Sequence, residues 1–167
     1  MAQRIAVIDY GAGNLRSVAK AFEHVSCGSV SVTNDYNQLS AASHIVLPGV
    51  GAFSDVKGGL TSLPGMVEGL NQHVINNSKP FLGICVGMQL MATKGVEHEE
   101  VEGFNWIEGE VIKVEVLDSK LKVPHMGWNS LKFNENAHPI LNGIKPGAHA
   151  YFVHSYHLKA TKSEQVM

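Results

Sequence analysis

The sequence predicts an α/β fold, a mostly parallel sheet covered by helices on both faces, with antiparallel β additions in the second half. Three observations carry this. Short apolar runs alternate with helically spaced segments through the first half of the chain. The run Pro80–Ile84 (PFLGI) is apolar without alternation, as in a strand buried on both sides. After Glu97 the character changes to β-rich segments joined by Gly, Pro and Asn turns. With 167 residues, 44% hydrophobic and 17% charged, the chain has the size and composition of one globular domain.

Arg4–Asp9 (RIAVID) is the first predicted strand. Past Tyr10-Gly11-Ala12-Gly13, a helix starts at Asn14, placed to cap it, and carries Leu15, Val18, Ala19, Phe22 and Val25 on one face. Ser29–Thr33 alternates as a strand, Tyr36–Ala42 reads as a short helix, and His44–Leu47 is a strand broken by Pro48-Gly49. A Gly-rich stretch precedes a helix over Pro64–Asn76, with Met66, Val67, Leu70 and Val74 on one side. The strand Pro80–Ile84 follows, then a helix over Met88–Thr93. Beyond an acidic loop (EHEEVEG), β segments are expected at Gly109–Leu117, Lys122–Pro124, Asn129–Phe133 and Ala150–Leu158.

Composition excludes several functions. Thirteen Lys plus Arg against fifteen Asp plus Glu give a net charge of −2, and Arg4 and Arg16 are the only guanidinium groups, so no basic footprint for nucleic acid exists. No apolar run approaches the roughly 18 residues of a membrane span, and Ile5–Ile8 is too short for a signal-peptide core, so a cytoplasmic protein is expected. The two cysteines, Cys27 in a turn beside Gly28 and Cys85 at the end of an apolar run, are read as free thiols.

The segment Gly83-Ile84-Cys85-Val86-Gly87 is the most informative. Its GxCxG pattern stands where a buried strand hands over to a helix, the setting of a nucleophile elbow. Small flanking residues let the chain turn sharply, and a helix N-terminus favours the thiolate. In His44–Phe53 (HIVLPGVGAF), glycines on either side of Val50 let backbone N–H groups rotate toward an oxyanion formed beside the thiol, with the Val86 N–H as a second donor.

IDYGAGNLRSV (8–18), LPGVGAF (47–53), GICVGMQLM (83–91), VPHMGWN (123–129) and YFVHSYH (151–157) together resemble the glutaminase subunits of imidazole glycerol phosphate synthase, within the class I (triad) glutamine amidotransferases. The resemblance implies a flavodoxin-like sheet. It also implies glutamine hydrolysis that supplies ammonia to a cyclase subunit, which forms imidazole glycerol phosphate and AICAR in histidine biosynthesis. By motif, Cys85 is the nucleophile that forms a γ-glutamyl thioester. Val50, Gly51 and Val86 match the oxyanion loop and elbow, and Gly51, Gln89, Ser155 and Tyr156 match positions lining the glutamine site. Gly11, Asn14, Pro124, Met126 and Trp128 match the face that docks the cyclase in a heterodimer. No cofactor, metal, nucleic acid or membrane is implied.

One departure stands against these matches. The family activates its cysteine with a His and a Glu from a late His-Pro-Glu-Lys motif, which is absent from these 167 residues. The expectation is therefore a single amidotransferase domain over 1–167, incomplete at its C-terminus, with impaired activity and an exposed sheet edge. His138-Pro139-Ile140 precedes YFVHSY and lacks the acid, so it reads as a turn. His154 and His157 read as packing and edge polarity.

Other motifs carry less. Gly11-Ala12-Gly13 lacks the third glycine of a dinucleotide loop, and His98-Glu99 lacks the second histidine of a zinc-protease motif. Glu97, Glu99, Glu100 and Glu102 read as a solvated loop. Two alternatives remain open: a noncatalytic partner of the cyclase subunit, and another cysteine hydrolase using GxCxG, which leaves PHMGWN unexplained.

Overall fold

A computed structural model describes residues 3–26, 28–116, 121–134 and 138–167. Cys27, and Leu117 at the end of one expected strand, lie outside the described residues. Four parallel strands form the central sheet: β1 (Arg4–Ile8), β2 (Ser29–Thr33), β3 (His44–Gly49) and β4 (Phe81–Cys85), in the order β2-β1-β3-β4.

The period-2 geometry of the two central strands sorts their side chains onto opposite faces. Ile5 and Val7 of β1 and Val46 of β3 pack under Leu15, Val18 and Phe22 of helix α1 (Leu15–Val25). Ala6, Ile8, Ile45 and Leu47 point the other way. There they meet Phe53, Val56 and Leu60 of helix α2 (Phe53–Thr61) and Met66 and Leu70 of helix α3 (Met66–Leu70). Both faces are thus covered, as expected for parallel pairing. Wider π-type turns over Asn71–Asn76 continue α3.

The second half adds a mixed sheet in the order β10-β7-β5-β6, from β5 (Ala92–Gly95), β6 (Val101–Glu102), β7 (Ile107–Lys113) and β10 (Tyr156–Ala160). A separate antiparallel hairpin pairs β8 (His125–Ser130) with β9 (His149–His154).

Several expectations are corrected. The strand expected at Pro80–Ile84 packs on both faces, Phe81 against one core and Leu82 and Ile84 against the other, but β4 pairs only with β3 among the described strands and Phe81–Ile84 are half-buried. No helix spans Met88–Thr93. Helix α4 covers only Val86–Gln89, because the carbonyls of Leu90, Met91 and Ala92 accept from the N–H groups of Phe104, Asn105, Trp106 and Ile107, which pulls the chain into β5. Asn14 occupies the cap position of α1 but its side chain makes no capping bond. Tyr36–Ser40 is a 3₁₀ turn. Lys122–Pro124 is not a strand, β8 starts four residues before the expected Asn129, and the run Ala150–Leu158 divides at Ser155 into β9 and β10.

Candidate active site

β4 passes into α4 at Cys85, and the main chain there adopts φ +55° and ψ −117°, which non-glycine residues rarely accept. Such a conformation costs on the order of 1–3 kcal/mol and persists only where surrounding packing enforces it. Glycines provide that packing. A methyl at Gly83 would stand 2.6 Å from the Gly87 carbonyl oxygen and 2.6 Å from both Met88 N and Met88 Cα. One at Gly49, the β3 residue in register with Cys85, would meet the Val86 carbonyl carbon at 2.7 Å. One at Gly87 would overlap the Leu47 carbonyl oxygen. The ends of β3, β4 and α4 therefore touch main chain to main chain, and Cys85 is left exposed at their junction.

A cavity of about 490 Å³ opens at this point, at the carboxyl ends of β3 and β4. It brings together Cys85, Val50, Gly51, Val86, Gln89, Ser155 and Tyr156, with Asn14 and Pro124 also on its wall. Gln89 is buried, and its Nε2 donates to the Tyr156 carbonyl at 3.2 Å. An adjoining cavity of about 360 Å³ shares Cys85, Gln89 and Tyr156. A larger one, about 750 Å³, lies at the amino ends of the strands against His44, Pro80 and His138. Because open parallel sheets bind ligands beyond their carboxyl ends, the smaller cavity holding the thiol is the candidate site.

Two of the expected features differ in their geometry. Val50 stands on the cavity wall, but its N–H donates to the buried Tyr10 hydroxyl at 3.1 Å and is committed in this conformation. Gly51, at φ +108°, and Val86, whose N–H opens α4 in its first turn, line the same cavity as the thiol. With four residues, α4 has too short a run of aligned peptides to carry the dipole expected of it.

Of the expected docking residues, Gly11, Met126 and Trp128 stay outside the cavity. Met126 and Trp128 are 61% and 72% exposed on the β8–β9 hairpin, where Trp128 meets Tyr151 edge to face. His138 caps its own turn by accepting from Ile140 N. Among the described residues no group of three or more His, Cys, Asp or Glu could hold a metal ion. None of the helices there is long and apolar enough to cross a membrane.

Sequence reasoning missed two wall residues. Glu97 is not merely solvated: its Oε2 accepts from Phe53 N at 2.9 Å, capping α2 directly after the Gly49–Gly51 turn. Its loop is anchored by Lys57, whose ammonium donates to the Gly103 carbonyl and lies 5.4 Å from the Phe104 ring centre. Burial lowers the Lys57 pKa from its ordinary value, with Glu102 partly offsetting this. His154, expected only to pack, lines the cavity and bonds the Tyr156 carbonyl through Nδ1 at 3.0 Å. The Glu97 contact has no local signal, since it joins residues 44 positions apart, and the His154 contact, though only two residues long, shows its place on the cavity wall only in the fold.

The sequence pattern of the class-I glutamine amidotransferases matches residues 6–166. The chain belongs to that family. Among curated amidotransferase relatives, the imidazole glycerol phosphate synthase subunit HisH of Rhodospirillum rubrum is 50% identical over 161 residues, covering 93% of this chain and 75% of its own. HisH of Bradyrhizobium diazoefficiens is 50% identical over 171 residues, covering 98% and 79%. The chain thus spans about three-quarters of their length. A glutamine amidotransferase crystal structure superimposes with TM-score 0.71 at 14% identity, over 95% of this chain and 75% of that one. A putative GMP synthase component from Thermoplasma acidophilum gives TM-score 0.65 at 17% identity, over 95% and 67%. At such identities these two speak for the amidotransferase fold alone.

Proposed function

We propose that this chain is the glutamine-hydrolysing subunit of an imidazole glycerol phosphate synthase, supplying ammonia to a cyclase subunit in histidine biosynthesis. The carrying observation is Cys85, held at positive φ over a cavity lined by Gly51, Gln89 and Tyr156, in a chain about half identical to HisH subunits. In this reading the thiolate attacks the carboxamide carbon of glutamine and the carbonyl electrons move onto oxygen, and the resulting oxyanion accepts hydrogen bonds from the N–H groups of Gly51 and Val86. Collapse expels the nitrogen, which takes a proton from water and leaves as ammonia. Water then cleaves the γ-glutamyl thioester to glutamate and restores Cys85.

Gln89, Ser155 and Tyr156 hold the substrate. The cyclase docks on the hairpin face formed by Met126 and Trp128, together with Gly11, Asn14 and Pro124, and the exposure of those two apolar side chains supports this. The 167 residues hold one domain without a His-Pro-Glu-Lys motif.

The test is alkylation by a chloroketone analogue of glutamine, located by mass spectrometry, together with co-elution with the cyclase subunit. Saturable labelling at Cys85, lost in Cys85→Ser, and a stable complex are expected. A complex without saturable labelling makes the chain a noncatalytic partner. Labelling without a complex makes it a different cysteine hydrolase.

A further inference from the structure

The β8–β9 hairpin is a sheet of its own, hydrogen-bonded to no other described strand, and its two faces differ. Alternation along each strand puts Met126 and Trp128 on the outer face beside their cross-strand partners Val153 and Tyr151. All four are more than half exposed. The next pair along that face is Ser130 with His149, so the stripe carries no Lys, Arg, Asp or Glu in a chain that is 17% charged. A continuous apolar strip of this kind marks a surface that something covers.

The stripe is complementary to itself. Its bulky, rigid pair is Trp128 and Tyr151, which meet edge to face with ring centres 5.6 Å apart. Its slimmer and more yielding pair, Met126 and Val153, lies two residues nearer the thiol cavity. A two-fold axis crossing the strands between these pairs lays the rings of one copy on Met126 and Val153 of the other, twice over. Large then faces small, the Met126 thioether meets aromatic rings, and no like charges are opposed. Two aromatic side chains, each burying about 150–250 Å² when fully covered, supply with Met126 and Val153 about 500 Å² per copy. That is below the roughly 800 Å² per partner of a standard interface, so the association is weak and reversible.

The stripe also runs into the site. Val153 lines both cavities that open on Cys85, and Tyr151 lines the smaller one beside Met88. A body seated on the stripe therefore closes over the apolar wall next to the thiol.

We infer that the chain pairs with a second copy of itself through Met126, Trp128, Tyr151 and Val153, and that the paired form shields Cys85 until a cyclase subunit takes the same face. The pairing stands on the stripe alone, while the exchange for a cyclase rests on the docking proposed above.

Sedimentation velocity of the 167-residue protein between about 1 µM and about 1 mM, the span in which so small an interface has its midpoint, tests the pairing. The mass should rise from one chain to two. Trp128→Glu and Val153→Glu would each bury two uncompensated carboxylates in the pair, and each should hold the protein at one chain throughout. Ile140→Glu, at the amino-end cavity beside β4, and Val32→Glu, on the opposite edge strand β2, alter exposed apolar residues elsewhere and should leave the pairing intact. A single chain at every concentration overturns the inference, as does pairing that survives both stripe variants or is abolished by Ile140→Glu or Val32→Glu.

Shielding is read by iodoacetamide alkylation of Cys85, separated from Cys27 by peptide mass spectrometry. At a chain concentration ten times the dimer Kd, mass action leaves about one chain in five unpaired, so the rate per chain should fall about fivefold from its dilute value. Trp128→Glu should show no fall. A pair alkylated at the dilute rate overturns the inference. Excess cyclase subunit should convert the pairs into heterodimers. Pairs that persist with cyclase bound overturn the exchange and the docking together, and sedimentation of the chain alone still decides the self-pairing.

Discussion

Gly83→Ala probes the contact that holds the thiol up. The added methyl would sit 2.6 Å from three backbone atoms of Gly87 and Met88, against the 3.4 Å at which ordinary contact begins, a shortfall of about 0.8 Å. No side chain can swing away to make room, because the obstructing atoms are main chain. Helix α4 must rise off β4, and Cys85 between them moves with it. Overpacking of this kind costs about 1–3 kcal/mol, and a displacement approaching 1 Å at a reacting atom can cost about 10²-fold in rate. Urea denaturation should give a lower midpoint at unchanged slope, and the chloroketone should label Cys85 about 10²-fold more slowly. The control is Gly58→Ala on α2, where a methyl meets nothing within 4 Å, so the same chemical change should stabilise the protein by about 0.5–1 kcal/mol. A Gly83→Ala protein with wild-type stability and labelling would refute the backbone-contact account of the elbow.

Lys79 donates to the carbonyls of Leu39, Ser40 and Ala42 at 2.7, 2.7 and 2.8 Å; Lys79→Met should lower stability by about 1–2 kcal/mol in the same denaturation assay. Lys57, whose pKa burial lowers, releases its proton at lower pH folded than unfolded. The unfolding free energy should therefore climb as pH rises toward the ordinary lysine value of 10.5, and more steeply in wild type than in Lys57→Met, as read by urea midpoints across alkaline pH. Tyr10→Phe removes the acceptor for Val50 N–H and should speed hydrogen exchange at that amide, with a stability loss of about 1 kcal/mol. Trp128→Ala should weaken cyclase binding by about 1–2 kcal/mol in titration calorimetry while leaving the isolated chain's stability unchanged.

The first three strands were legible because each is a short apolar or alternating run ended by a turn signal, and the sheet's two-sided packing requires such runs. α2 was not, since Gly58 and Gly59 interrupt its periodicity and their cost is met by the burial of Phe53, Val56 and Leu60. The helix expected over 88–93 was lost to tertiary pairing: the hydrogen-bond partners of Leu90, Met91 and Ala92 come from a loop a dozen or more residues downstream. At the site, GxCxG announced both the thiol and the turn beneath it. Glu97 and His154 gave no such sign, because one lies in a run of four acidic residues and the other among three histidines near the end of the chain. What distinguishes them is where their contacts fall after folding.

The interleaved glycines at 49, 83 and 87 have one more consequence. With peptide planes resting directly on one another, the altitude of the sulfur above the sheet is dictated by the thickness of the polypeptide itself, a quantity no exchange of side chains can adjust by degrees. Any refinement of reactivity or substrate choice must then be made around the rim, by the acidic strap bearing Glu97 and the ribbon bearing His125 and His154, while the pedestal stays unaltered.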